Sequence, residues 1–351
     1  MKKIITTIAA VIIVALMGIF FPEEAPETPE VLTPISGNGL TVHFIDVGQA
    51  DCALLECDGK YMIIDGGNVE DGQLVVSYLK RLGVETIDRV VCSHAHEDHV
   101  GGLAGALNYA TVDKALCSVS SFDSETFDNF VVYLSKQGKE ITIPKAGDVF
   151  ALGSAQVQVI GPVQESEEPN NMSLVLRVVY GNTSFLFTGD AEREEEQDIL
   201  AAGYEMDSTV LKVGHHGSEN STTYPFLREI MPEYAVISVG EGNVYGHPTE
   251  AALSRLRDVG ANILRTDTCG NIVCTSDGEA VSFTTQSGSV EENLFREETG
   301  AEYVLNNSTR KFHYPTCKSV KTIKQENLGT FFGMRDALVE QGYSPCGNCK
   351  P

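Results

Sequence analysis

His94, His96, Asp98 and His99 follow the pattern H-x-H-x-D-H, so three of the chain's eight histidines fall within six positions beside a carboxylate. Imidazole and carboxylate are the donors that zinc and manganese take in hydrolytic sites. The spacing suits two ions side by side, with His94 and His96 turned to one and Asp98 and His99 to its neighbour. The apolar run Asp88-Arg89-Val90-Val91-Cys92 precedes the motif. It reads as a strand, so the donors fall where a strand gives way to a loop and helix. A polar loop that merely happens to be rich in histidine is the plain alternative, and three imidazoles so close together weigh against it.

Two ions need further donors, and later segments offer them in or beside apolar runs. Asn171 precedes Leu174-Val175-Leu176, Asp190 follows Thr183–Phe187, and His215-His216 follow Thr209–Val213. An earlier run, Tyr61–Ile64, ends in Asp65-Gly66-Gly67. Strand ends converging on one edge of a sheet are where loops build active sites.

Taken in order, Asp65-Gly66-Gly67, His94-x-His96-x-Asp98-His99, Gly189-Asp190 and His215-His216-Gly217-Ser218 resemble the metallo-β-lactamase superfamily. The segments Phe44–Asp51, Asn171-x-Ser173-Leu174 and Asn243–Pro248 look like its ComEC-type competence branch, and the likeness runs from about Gly39 to Gln286. The resemblance implies an α/β fold, an αββα sandwich with metals at one edge of its two sheets. It assigns His94 and His96 to a first ion, Asp98 and His99 to a second, and Asp190 to both. One of His215 and His216 completes the second ion; His216 is favoured, with His215 facing substrate, and the reverse order stays open. Asp65 is expected to orient the ligand loop through hydrogen bonds, its plain alternative being an ordinary turn aspartate.

One position departs from that pattern. Asn171 stands where most of the superfamily places a histidine, either as a weak neutral ligand that leaves the first ion loosely held or as a substrate contact. Zinc and manganese both suit such a donor set. The implied reaction is hydrolysis of a phosphodiester by a metal-activated hydroxide, with Asp98, His215 and His247 in catalytic roles and Asn171, Ser218 and His247 against the substrate. Ser218 could equally cap a helix after its glycine, and His247 could be a plain loop histidine before Pro248. The expected function is a nuclease acting on DNA, with no nucleotide cofactor. The alternatives are a phosphoesterase for envelope polymers (teichoic acid or choline phosphate) and a non-catalytic DNA-binding protein.

The last fifty residues carry a separate donor set. His313-x-x-x-Cys317 and Cys346-x-x-Cys349 offer four N/S ligands, the signature of a closed structural zinc site, with disulfide pairing as the alternative. This tail resembles the zinc-binding domain of Ada, with His313 where Ada has cysteine, so a structural α+β module is expected rather than methyl transfer. The whole chain has a net charge of −24, which argues against a nonspecific DNA coat. From Asn306 to Lys324, however, Arg310, Lys311, Lys318, Lys321 and Lys324 appear with no acid. That patch suits a polyanion or is simply a solvated basic face.

At the other end, Lys2-Lys3 precede the apolar run Ile4–Phe21. Residues 1–21 therefore read as a signal peptide or membrane anchor, implying export to the cell surface or beyond. Residues 22–37, rich in Pro, Glu and Thr, read as a disordered spacer. The hydrolase is expected over 38–286, a linker over 287–300 and the zinc module over 301–351. No second hydrophobic span follows, so the chain is not expected to carry DNA through a membrane itself. Helices are expected over Val69–Leu82 and Ala191–Gly203, and strands over Thr41–Phe44, Ala53–Cys57 and Val157–Ile160. Cys52, Cys57, Cys92, Cys117, Cys269 and Cys274 read mostly as buried thiols, with a Cys269–Cys274 pairing across a hairpin as an option.

Overall fold

The computed structural model describes residues 39–287 and 301–349, apart from Thr316, Met334 and Asn348. The apolar segment over 1–21 and the spacer over 22–37 lie outside the described residues, as does nearly all of the linker. Among the described residues no helix is long and apolar enough to cross a membrane.

Alternation builds the first strands. In β1 (Leu40–Phe44), Leu40, Val42 and Phe44 are buried while the residues between them are only partly covered, the period-two pattern of a strand with one dry face. It is followed by β2 (Ala53–Cys57), β3 (Lys60–Ile64), β4 (Thr86–Cys92), β5 (Thr111–Cys117) and β6 (Ile141–Thr142). The second half supplies β7 (Val149–Leu152), β8 (Ala155–Gly161), β9 (Val175–Tyr180), β10 (Thr183–Phe187), β11 (Val210–Lys212), β12 (Tyr234–Ile237) and β13 (Asn262–Arg265). The chain then returns through β14 (Ile272–Ser276) and β15 (Val281–Thr285). The first sheet runs β15-β14-β1-β2-β3-β4-β5-β6 and the second β13-β12-β11-β10-β9-β8-β7.

Three apolar layers follow. Leu40, Phe44, Leu55, Val157, Leu176, Phe185 and Phe187 fill the space between the sheets. Helices α1 (Gly72–Leu82), α2 (Glu97–Val100), α3 (Leu103–Tyr109) and α4 (Glu125–Lys136) lie on the first-sheet side, where Val75, Leu79, Leu103, Phe127 and Phe130 meet the outer faces of its strands. On the second-sheet side, α5 (Arg193–Ala202), α6 (Tyr224–Ile230) and α7 (Glu250–Asp258) contribute Ile199, Phe226, Leu227 and Leu256. This is the αββα sandwich. The expected helix over 69–82 starts as a 3-10 turn, Val69–Asp71, before α1.

A third, four-stranded sheet is formed by β16 (Ala301–Asn306), β17 (Lys311–His313), β18 (Leu328–Gly333) and β19 (Ser344–Pro345), in the order β18-β16-β17-β19. With the helix Arg335–Glu340 it encloses a small core of Tyr303, Leu305, Phe312 and Leu338. All nine cysteines are free thiols. The optional Cys269–Cys274 bridge is therefore not formed: Cys269 ends the short helix Thr266–Cys269, while Cys274 faces the core from β14.

Candidate metal centre

Parallel pairing brings the donors to one edge. β3, β4 and β5 run parallel, so Asp65 after β3 and Ser93-His94 after β4 emerge side by side. In the second sheet β10, β11 and β12 run parallel, so Asp190 after β10 and His215-His216 after β11 emerge together.

Asp65 ties the ligand loop down. Its Oδ1 accepts from the Ser93 amide at 2.7 Å, its Oδ2 accepts from the Ser93 hydroxyl at 2.7 Å, and His99 Nδ1 lies 2.9 Å from that same Oδ2. The loop of Asp65 is pressed against the ligand turn, because the Gly66 amide donates to the His99 carbonyl at 2.7 Å. A Cβ on Gly102 would lie 1.9 Å from the Gly66 oxygen, so that contact requires glycine.

Asp98, His99, Asp190 and His216 each offer one atom, all within 4.8 Å of one another. His99 Nε2 lies 3.3 Å from Asp190 Oδ1, and His216 Nε2 lies 3.2 Å from Asp98 Oδ2. His99 Nε2 and Asp190 Oδ1 are buried with no hydrogen-bond partner. Orphaned polar atoms of that kind are costly unless a cation satisfies them, so these residues fit a divalent ion. Beside them, His94 Nε2 stands 3.1 Å from His96 Nδ1 and 4.0 Å from Asp190 Oδ2. Asp190 Oδ1 thus faces His99 while its Oδ2 faces His94 and His216, an arrangement with room for a second ion. His215 and His216 both adopt the left-handed backbone region, at φ 50° and 53°. That strained turn aims both rings at Asp190 Oδ2, at 3.6 and 3.9 Å.

The electrostatics are those of a cation site. Burial lowers His94 well below its ordinary value, with His99 adding to the effect, which leaves a neutral ring with a lone pair to give. Burial would also lower His99, but the carboxylates of Asp190, Asp98 and Asp65 raise it well above the usual range. Burial is likewise overcome at His216, which Asp190 and Asp51 raise to about 10. Asp98 is held at about 2 despite its burial, chiefly by His99 and His216. A divalent ion would take the place of the protons that His99 and His216 attract here.

The remaining predicted residues fall around this centre. Asn171 is buried, and its Oδ1 accepts from the Glu192 amide at 3.0 Å, bracing the segment that carries Asp190. Ser218 is buried; its hydroxyl accepts from the Asn220 amide at 3.3 Å, within the turn after His216 and short of α6, whose cap is Thr223. His247 is half-buried, with its ring 5.7 Å from that of His215.

Three residues given no role by the sequence reading also belong here. Lys212 Nζ lies 2.7 Å from Asp51 Oδ2, and Asp51 Oδ1 lies 3.2 Å from His216 Nδ1, so a buried ion pair backs one ligand. Glu192 Oε1 lies 3.1 Å from His215 Nδ1 and backs the other ring. The sequence signals were an aspartate in Phe44–Asp51 and a lysine inside the apolar strand β11.

In the third sheet's module, His313, Cys317, Cys346 and Cys349 also bring donors within 4.8 Å of one another. Both ring nitrogens of His313 are buried without a partner, and burial lowers its pKa and keeps the ring neutral. Burial raises the Cys349 thiol to about 12. Three thiols and an imidazole so gathered fit a tetrahedral structural zinc.

Comparison with known proteins agrees with this geometry. The chain is 32% identical over 253 residues to ComE operon protein 3 of Bacillus subtilis, covering 66% of this chain and 32% of that one. It is 31% identical over 265 residues to competence protein ComA of Neisseria gonorrhoeae, covering 74% and 34%. With recombination protein 2 of Haemophilus influenzae the identity is 28% over 239 residues, covering 66% and 28%. The chain thus spans about a third of the length of these relatives. The family model described as the metallo-beta-lactamase superfamily matches residues 45–241, more than half of the chain, and the protein belongs to that superfamily.

Proposed function

We propose that this protein is an exported, metal-dependent phosphodiesterase of the ComEC-like branch, a nuclease that hydrolyses DNA. The observation that carries the reading is the buried Asp190, whose Oδ1 faces His99 and whose Oδ2 faces His94, His215 and His216. Asp98, His99, Asp190 and His216, with His94 and His96 beside them, would hold zinc or manganese ions, which would supply Lewis acidity for hydrolysis of a phosphodiester. Around that centre, Asp65 and Asp51 orient His99 and His216, Glu192 orients His215, and His215 and His247 line the rim where a leaving oxygen needs a proton. Asn171 and Ser218 shape the turns beneath the substrate.

The names of the relatives, a competence protein and a recombination protein among them, support a nucleic-acid substrate. The module over 301–351 is read as a zinc-stapled, Ada-like holder of the polymer: Arg310, Lys311, Lys318, Lys321 and Lys324 are all exposed on it. The apolar run Ile4–Phe21 supports a position at the cell surface, anchored or released.

The test uses the full chain, stripped of metal and reloaded separately with Zn²⁺ and Mn²⁺, with His96→Ala as control. Metal-dependent cleavage of single- or double-stranded DNA that the variant lacks is the expected result. Cleavage of bis(p-nitrophenyl) phosphate without DNA would move the assignment to envelope phosphodiesters. Turnover of neither substrate would leave a binding protein.

A further inference from the structure

The loop from Gly240 to Thr249 stands on the rim of the metal centre, and Asn243 holds its shape. The Asn243 amide nitrogen donates to the carbonyls of Gly240 and His247 at 2.9 and 2.6 Å, and its Oδ1 accepts from the His247 amide at 3.0 Å. A loop cross-linked in this way could tuck its apolar side chains inward, yet it turns two of them out: Val244 is 93% exposed and Tyr245 is 69% exposed. The Tyr245 ring stacks on His247, with centroids 5.8 Å apart and planes at 26°. His247 meets His215 edge-on at 5.7 Å, and His215 Nε2 lies 3.6 Å from Asp190 Oδ2. A continuous file of rings therefore leads from the central carboxylate to an open aromatic face.

We infer that Tyr245, with Val244 beside it, is the stacking platform for an unpaired nucleobase next to the phosphodiester held at the metal centre. The inference rests on the nuclease reading and deepens it by naming a single strand as the preferred substrate, because the faces of paired bases are covered by their neighbours. Charge supports the assignment. Away from the basic face over 306–324, a chain with a net charge of −24 gains little from long-range attraction to a polyanion, so an uncharged contact to the base suits the rim of the site. Base–aromatic stacking does so with little dependence on sequence.

The test measures kcat/KM of the metal-loaded full chain on oligothymidylate and on a matched strand of abasic tetrahydrofuran units. The wild type should prefer the base-bearing strand roughly ten-fold. Tyr245→Ala should abolish that ratio and Tyr245→Trp should keep it. A strand carrying 2-aminopurine should be quenched by the wild type and the Trp variant but not by the Ala variant. Because each ratio is taken on one protein, partial misfolding lowers both arms alike. A ratio that survives in Tyr245→Ala would overturn the platform and leave the nuclease standing. Failure of the wild type to cleave either strand would overturn both.

Discussion

The ammonium of Lys212 lies 2.7 Å from the carboxylate of Asp51, and both are almost wholly buried. Despite its burial, Asp51 is held well below the usual carboxylate range by Lys212 and His216, so it stays charged behind the His216 ring. Deleting one partner of such a pair leaves a charge buried and uncompensated, at a cost of about 3 kcal/mol or more. Lys212→Met should lower stability by that amount in urea titrations. It should also weaken the metal site through His216, and full metal content in the folded variant would show that the pair is structural only.

Asp65 holds the H-x-H-x-D-H loop through the Ser93 amide, the Ser93 hydroxyl and His99 Nδ1. Replacing the partner that orients a metal-binding histidine typically costs roughly 10–100-fold in metal affinity or activity. Asp65→Ala should show a loss of that size in Zn²⁺ titrations of the apo-protein. Asp190→Ala, which removes the carboxylate between both donor groups, should abolish turnover and reduce bound metal measured by mass spectrometry. Near-normal activity of that second variant would refute a dinuclear centre.

The H-x-H-x-D-H loop was legible because its four donors sit on one strand–turn–helix segment, where local spacing fixes who can share an ion. The strands with one dry face were legible for a similar reason: β1 alternates, and alternation survives in the sequence. β9 and β10 are buried on every residue, so periodicity cannot separate them from a buried helix. Asp51 sits in the β1–β2 connection and Lys212 on β11, and only the stacking of the two sheets brings the pair together behind His216. Asn171 illustrates a different limit. Its type and place marked it as the replacement for a ligand, while its carboxamide oxygen is engaged by the backbone of Glu192.

Glu195, on α5, is almost wholly buried, and burial drives its pKa well above the ordinary value of 4.5, outweighing the Ser173 backbone amide that favours the carboxylate. Between those two values the folded protein keeps a proton that the unfolded chain has released, so stability falls as pH rises. Glutamine has no proton to lose. Melting temperatures of the wild type and Glu195→Gln, compared from about pH 5 to about pH 8, should diverge in favour of the variant as pH rises. Parallel pH profiles would show that the carboxyl is ionised in the folded state.

The C-terminal cluster makes a separable prediction. Tyr314, between His313 and Cys317 of the donor cluster, donates to Glu250 Oε1 at 2.7 Å and accepts from the Arg257 guanidinium at 3.1 Å, both on α7. The residue before α7, Thr249, donates its amide to the Gly217 carbonyl at 2.9 Å, beside His216. The C-terminal module is thereby linked to the turn that carries His215 and His216. Cys346→Ser should release one equivalent of zinc, unfold the small core of Tyr303, Phe312 and Leu338, and weaken binding of long nucleic acid. If the module serves only to hold the polymer, cleavage of bis(p-nitrophenyl) phosphate survives the change. Equal loss on the small diester and on DNA would instead show that the Tyr314 contact keeps α7, and with it the His215-His216 turn, in place. Tyr314→Phe separates these outcomes, because it removes the hydroxyl bridge to Glu250 and Arg257 and leaves His313, Cys317, Cys346 and Cys349 in the chain.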